Sequence, residues 1–171
     1  IKISPKSLKI KSPRETGKTF KSNSELKANY FYKKTKIISL SDDSGLVISA
    51  LNNKPGIYSA RWAKKYGSFR KAMNKILGLL KNKSNRNAKF ICSLSIKLNS
   101  KRIITSAGVI KGKISLKPAG NKGFGYDPIF IPNKSKITFG QMNIKKKMKI
   151  DHRSLAFKQL KKKLKFYKFF V

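Results

Sequence analysis

Cysteine and histidine are almost absent from this chain: Cys92 is its one cysteine and His152 its one histidine among 171 residues. No internal disulfide can therefore form, and no Cys/His group has metal-ligand spacing. Long apolar runs are absent too, since no stretch approaches the roughly 20 residues of a membrane-spanning helix. Three lysines interrupt the first ten residues, where a signal peptide would be apolar. We therefore expect a cytoplasmic protein that does not enter a membrane.

Acidic residues are also scarce, with 6 against 42 basic residues and a formal net charge of +36. Such a charge is typical of proteins that bind nucleic acid or another polyanion. The excess is mostly lysine spread over every segment, so we favour a compositional bias and expect no specific nucleic-acid partner. With so few acids, each carboxylate is a stronger candidate for chemistry. They are Glu15, Glu25, Asp42, Asp43, Asp127 and Asp151.

Hydrophobic periodicity predicts the central elements. Residues 68–81 have helical spacing with lysines between the apolar positions. Residues 88–98 alternate with period two, which predicts a half-buried strand. Asn99 and Ser100 then give a turn into a second strand over 102–110, which predicts an antiparallel hairpin. Cys92 lies on the apolar face of the first strand and is expected to pack there and not to react.

Similar patterns predict the two ends of the chain. A helix is expected from Ser22 or Asn23 to Thr35, followed by strands over 37–40 and 46–51 with an acidic turn between them. A last helix is expected from Ser154 onward, with its apolar side and the apolar end of the chain docked on the core. The element order predicts a single α/β domain over residues 1–171, with a mixed sheet flanked by helices and with two lobes.

Asp42 and Asp43 are adjacent carboxylates followed by Ser44 and Gly45 in the predicted turn. Carboxylate oxygens suit Mg²⁺, which also binds phosphate and keeps several waters. An acidic turn after a strand is common without any catalytic role, so this pair alone does not decide between the two interpretations.

Two further segments contain candidate ligand-binding groups. Residues 120–128 are rich in glycine, where Phe124 offers a ring face to a base and Asp127 an acceptor to ring N–H groups. The alternative is a connecting loop that needs glycine at positive φ. His152 and Arg153 open the last helix, and a simple N-cap at Asp151 accounts equally well for that sequence.

The combination of these motifs resembles the inosine triphosphate pyrophosphatase family over nearly the whole chain. In chain order the matching segments are Glu15 to Phe20, Asn23, Lys27 and Ala28, then Asp42 to Leu46, Ala50 to Asn52, Pro55 to Arg61, Gly123 to Phe130, and His152 with Arg153. The resemblance implies a curved sheet, a Mg²⁺ cofactor and usually a homodimer. It also implies hydrolysis of non-standard purine nucleoside triphosphates such as ITP, dITP and XTP to monophosphate and pyrophosphate, which cleanses the nucleotide pool.

Site residues follow from the same resemblance. Asp43 matches the general base and, with Glu15, the metal region, and Lys27 matches a lysine near the phosphates. The other matches are substrate contacts, namely Ser44, Phe124, Gly125, Tyr126, Asp127, Lys147, His152 and Arg153. The last two match the pair that reads the purine 6-oxo edge. This agrees with chemistry, because hypoxanthine and xanthine carry an acceptor oxygen where adenine carries a donor amine.

The chain also departs from the family pattern. The family begins with a strand and a Ser/Thr-x-Asn-x-x-Lys loop that holds the triphosphate, and this chain starts after that point, so we expect an N-terminally incomplete domain. Ser22 and Asp151 stand where the family has Glu and Ser. Two alternatives stay open: a basic nucleic-acid-binding module, and a truncated inactive member of the same family.

Overall fold

The structure, a computed structural model, describes residues 3–166 as one four-stranded sheet with helices on both faces. The strands are β1 Ser39–Ile48, β2 Asn87–Lys97, β3 Ile103–Ile114 and β4 Phe130–Pro132, in the spatial order β1-β2-β3-β4. The helices are α1 Phe20–Thr35, α2 Ser59–Lys65, α3 Phe69–Leu79, α4 Ile144–Ile150 and α5 His152–Phe166. The predicted α/β class is confirmed.

The expected mixed sheet is wrong for the described residues, because all three strand pairings are antiparallel. A parallel neighbour needs a crossover that returns the chain to the end where the first strand began. Residues 49–86 instead bring the chain back into the sheet at the end where β1 finished, so β2 runs antiparallel to β1. β3 then follows through the predicted hairpin.

The two short strands expected around an acidic turn are also wrong, because β1 is one continuous strand. Its pairing with β2 is unbroken from Ser39 opposite Lys97 to Ile48 opposite Ala88. Asp and Gly have low strand propensity, but packing on both sides of a sheet overrides such preferences. Gly45 also serves the packing, since a Cβ there would collide with the Gly56 carbonyl oxygen.

The predicted hairpin is confirmed, with β3 reaching four residues further than expected, to Ile114. The expectation of a half-buried β2 needs correction, because Ser93 and Ser95 on its second face are also buried. They hydrogen-bond to the hydroxyl of Ser24 in α1, at 3.0 and 2.8 Å. α1 covers this face, so polar side chains are paired there instead of being hydrated.

Helix starts are set by capping side chains. α1 begins at Phe20, earlier than predicted, because Thr19 and Ser22 form a reciprocal capping box. α3 begins at Phe69, one residue after the predicted start, because Ser68 caps it by accepting from the Lys71 N–H. The last helix begins at His152, two residues before the predicted start, and the Asp151 carboxylate accepts from the Ser154 N–H at 2.8 Å. Its predicted apolar continuation from Tyr167 onward lies outside the described residues.

Two apolar clusters lie on the sheet. The larger contains Phe90, Phe130 and Phe139 and packs α3 against one end of the sheet. The smaller joins Cys92, Leu94 and Ile96 of β2 to Ala156, Leu160 and Leu164 of α5, and Cys92 is buried as expected. None of the helices within residues 3–166 combines the length and apolar character needed to cross a bilayer.

Candidate functional site

The two adjacent aspartates of β1 point to opposite faces of the sheet, because successive side chains in a strand alternate. Asp43 lies opposite Ser93, whose face is covered by α1, and Asp42 lies opposite Leu94, whose face is covered by α5. β1 is the edge strand of the described sheet. One ligand that reaches over this edge can therefore meet both carboxylates.

On the α1 face, Asp43 is buried beside polar side chains and is 6% exposed. Its Oδ2 accepts from the Asn23 amide at 3.2 Å, and its Oδ1 lies 3.4 Å from Lys27 Nζ. Burial raises the pKa of Asp43 above its ordinary value, while the Lys27 charge opposes that rise. A carboxylate whose pKa moves toward neutrality is better suited to accept a proton.

Glu15 joins the same cluster. Its Oε1 lies 2.7 Å from Lys27 Nζ, and its Oε2 lies 3.6 Å from Arg61 Nη2. Glu15 and Asp43 thus share one lysine ammonium, and the Glu15 charge contributes to the raised pKa of Asp43. Two carboxylates that converge on one cation fit Mg²⁺, which usually takes one or two protein carboxylates and completes its shell with phosphate and water. No group of three or more His, Cys, Asp or Glu side chains with metal-site geometry occurs in the described part of the chain.

On the α5 face, Asp42 and Ser44 meet the start of α5. Arg153 Nε donates to Asp42 Oδ2 at 3.3 Å, and the Ser44 hydroxyl donates to the same oxygen at 3.0 Å. The Arg153 guanidinium carbon lies 4.7 Å from the centroid of the Phe124 ring, which is itself 57% exposed. An exposed aromatic ring with a held guanidinium over it forms a surface on which a purine can stack.

His152 is buried at this end of α5. Its ring stacks on Phe90, with centroids 4.8 Å apart, and its Nδ1 is buried with no hydrogen-bond partner among residues 3–166. Burial and the neighbouring Arg153 charge lower the pKa of His152 to about 4, so the ring is neutral at pH 7. A buried polar atom without a partner is uncommon and marks a candidate ligand contact. Gly108 of β3 allows this placement, because a Cβ there would collide with the His152 carbonyl oxygen.

The glycine-rich loop is held together by Asp127. Its Oδ2 accepts from the Phe124 N–H at 2.7 Å and from Lys147 Nζ at 2.6 Å. Gly123 has a φ of 77°, and a Cβ there would collide with the same carboxylate. Tyr126 is 2% exposed and donates its hydroxyl to the Ser59 carbonyl at 2.9 Å.

Three of the predicted substrate contacts have their polar groups occupied by bonds inside the protein. The polar groups of Tyr126, Asp127 and Lys147 are buried and bonded within the protein, where they support the loop. Direct contact between them and a substrate stays a prediction. A cavity of about 150 Å³ lies beside them, and Tyr126 and Asp127 form part of its wall. The other predicted contacts in the wall are Ser44, Phe124, Gly125, His152 and Arg153.

A larger groove, of about 500 Å³, crosses the edge of β1. It is lined by Lys27 on the α1 face, by Asp42 at the strand edge and by Arg153 on the α5 face. The groove therefore connects the carboxylate and lysine cluster to the guanidinium beside the cavity.

One polar residue of the site received no role from the sequence. Asn23 is fully buried, accepts from the Gly17 N–H at 2.8 Å and donates to Asp43, so it orients the carboxylate. Asn23, Ser24, Lys27 and Ala28 repeat at helical spacing, which marks a small polar face of α1. That pattern could have identified Asn23.

Known proteins resemble this chain in sequence and in fold. A sequence model of the Ham1 family matches residues 1–163. The dITP/XTP pyrophosphatase of Zymomonas mobilis is 39% identical over 161 residues, which cover 92% of this chain and 77% of that protein. The dITP/XTP pyrophosphatase of Prochlorococcus marinus is 45% identical over 151 residues, covering 88% and 76%. Among solved structures, the Ham1 protein of Staphylococcus aureus has a TM-score of 0.89 at 35% identity and covers 95% of this chain and 85% of its own.

Proposed function

The chain belongs to the Ham1 family, and on that premise we propose that it hydrolyses non-standard purine nucleoside triphosphates, such as dITP, ITP and XTP, to the monophosphate and pyrophosphate. The observation that supports this most directly is that β1 presents a different group of polar side chains on each of its two faces. Asp43 belongs to a carboxylate and lysine cluster on one face, and Asp42 and Ser44 belong to an aromatic and cationic cavity on the other. A nucleoside triphosphate also has two parts: its polyanion suits the cluster with Lys27, and its base suits the aromatic cavity.

Binding places the triphosphate at Lys27 and the base at Phe124. The Lys27 ammonium lies between Glu15 and Asp43 and is available to phosphate oxygens along the groove. The exposed Phe124 ring offers a stacking face. Arg153 and the neutral His152 supply N–H donors beside it, which pair with a 6-oxo oxygen and leave the amine of adenine mispaired.

Hydrolysis then requires a general base that accepts a proton from the attacking water. Asp43 takes a proton from the attacking water, the new P–O bond forms, and the anhydride bond between the α and β phosphates breaks to release pyrophosphate. Asn23 holds the carboxylate while this happens. Mg²⁺ bound with the triphosphate would neutralise phosphate charge, and Asp43 and Glu15 are the residues that would hold it. The homodimer and the cytoplasmic setting are further proposals, which light scattering and cell fractionation would test.

The test is turnover of ITP and XTP against ATP and GTP, with and without Mg²⁺, and with separate detection of pyrophosphate and orthophosphate. We expect pyrophosphate from ITP and XTP and much slower turnover of the standard nucleotides. Orthophosphate as the first product would reject the assigned bond cleavage. Salt-sensitive binding of nucleic acid with no nucleotide turnover would instead favour a polyanion-binding module.

A further inference from the structure

We propose that Asp42 is a positioning residue that holds the Arg153 guanidinium at the base cavity, and that it thereby sets the preference for 6-oxo over 6-amino purines. The proposal rests on the function above, because it concerns the same cavity. The observation behind it is that Asp42 Oδ2 binds both Arg153 Nε, at 3.3 Å, and the Ser44 hydroxyl, at 3.0 Å.

Arg153 needs such a restraint. Its side chain is 40% exposed, and a long arginine in contact with solvent samples many rotamers unless it is held. The bond to Asp42 uses Nε, which leaves the two terminal nitrogens to donate to a ligand. The Phe124 ring, 4.7 Å from the guanidinium carbon, limits its movement on another side.

Asp42 is in turn well placed to act as this anchor. It lies inside a strand whose register with β2 is continuous, so its Cα is fixed by the sheet. The Ser44 hydroxyl, two residues along the same face, restrains the carboxylate that holds Arg153. Asp43 faces the opposite side, so the two aspartates have separable effects: Asp43 acts on the phosphate chemistry and Asp42 on the choice of base.

The ion pair is not built for folding stability. Both side chains are about two-fifths exposed, at 40% and 41%, and exposed ion pairs contribute little to stability. Substitution of Asp42 is therefore expected to leave the fold intact, and a change in base preference can be read without a general loss of structure.

The experiment compares Asp42→Ala and Asp42→Asn with the unchanged protein, using kcat and KM for ITP and for ATP. Asp42→Ala is expected to lower the ITP:ATP ratio of kcat/KM by about 10- to 100-fold, because a misplaced recognition group costs about that much. Asp42→Asn keeps an acceptor oxygen and should retain part of the ratio. The double variant Asp42→Ala with Arg153→Ala should discriminate no worse than Arg153→Ala alone, since Asp42 acts through that residue.

The control is Glu25→Gln, which removes one partly exposed carboxylate that is bonded to Thr105 and Lys21 and makes no contact with Arg153. It should leave the ratio unchanged. Equal losses for ITP and ATP in Asp42→Ala, or additive losses in the double variant, would overturn the proposal. A thermal unfolding scan of each variant verifies that the protein remains folded.

Equilibrium binding of IMP and AMP separates this inference from the proposed function. If the unchanged protein binds IMP more tightly than AMP and Asp42→Ala reduces that preference, the positioning role is supported. Absence of triphosphate hydrolysis in the same protein would refute only the enzymatic proposal. Equal affinity of the unchanged protein for IMP and AMP would refute the positioning role, whatever the hydrolysis assay gives.

Discussion

Replacement of Asp43 by asparagine tests the chemistry most directly. The amide has nearly the shape of the carboxylate but cannot take a proton from water. General-base catalysis contributes about 10²- to 10⁴-fold, so turnover of ITP should fall by that factor, or about 2.7 to 5.4 kcal/mol of activation free energy. Lys27 keeps an ionic partner in this variant, because Glu15 lies 2.7 Å from its ammonium. The loss is therefore expected in kcat and not through collapse of the cluster.

Asp43→Asn lowers turnover but is expected to raise the free energy of unfolding at neutral pH. Burial raises the pKa of Asp43 above 3.8, so the folded state binds the proton more tightly than the unfolded state. The stability that Asp43 contributes is complete below pH 3.8 and is lost as the pH rises through the folded-state pKa. Above that pH the unchanged protein carries the cost of a buried charge, which asparagine lacks.

The assay combines steady-state kinetics with thermal unfolding across this pH range. The unfolding temperature of Asp43→Asn minus that of the unchanged protein should become more positive as the pH rises from 3.8 through the folded-state pKa of Asp43. Glu25→Gln serves as the matched removal of a carboxylate and should retain activity. Turnover of ITP by Asp43→Asn at the unchanged rate would remove Asp43 from the mechanism, and a difference that becomes more negative with pH would refute the electrostatic reasoning.

Three other substitutions test the remaining parts of the site. Arg153→Ala should lower kcat/KM for ITP by the equivalent of about 1 to 3 kcal/mol of activation free energy, the range for a lost bond to a charged group, and should lower kcat/KM for ATP much less. Equal losses for ITP and ATP would mean that Arg153 acts on phosphate or on folding. Lys147→Met leaves the buried Asp127 carboxylate without its 2.6 Å partner and should cost about 3 to 5 kcal/mol in urea unfolding, partly restored by adding Asp127→Asn; a cost below 1 kcal/mol would contradict this. Gly108→Ala forces the start of α5 off the sheet and should cost about 1 to 3 kcal/mol and reduce turnover. Gly78→Ala, in open space on α3, should stabilise the protein by up to about 1 kcal/mol and serves as its control.

The candidate site residues could be named from the sequence, because a motif depends on residue type and order, and their roles stay predictions. Asp43, Lys27 and Glu15 were identified by their motifs, and the structure brings all three together. Phe124 and Arg153 were predicted to face a base, and they lie beside one cavity. The hairpin and α3 were also predictable, since their periodicity extends over ten or more residues.

The continuity of β1 through residues 41–45 was not predictable from the local pattern. Residues 41–45 have turn composition, but their backbone is paired with β2 throughout. A local pattern cannot report this, because the partner strand lies about fifty residues away and its hydrogen bonds outweigh local preference. Strand continuity in turn determines the site, since it sends Asp42 and Asp43 to opposite faces.

The sequence by itself determined which side chains are present and which motifs they form: a scarce set of carboxylates, a glycine-rich loop with Phe124, and His152 with Arg153 at a helix start. Only the tertiary structure decided how each group is used. Asp127 Oδ2 is bonded to Lys147 and to the loop backbone, whereas His152 Nδ1 has no partner in the described chain. The physical reason is that burial and pairing are set by contacts between distant segments, and these contacts determine whether a polar atom is already bonded or available to a ligand.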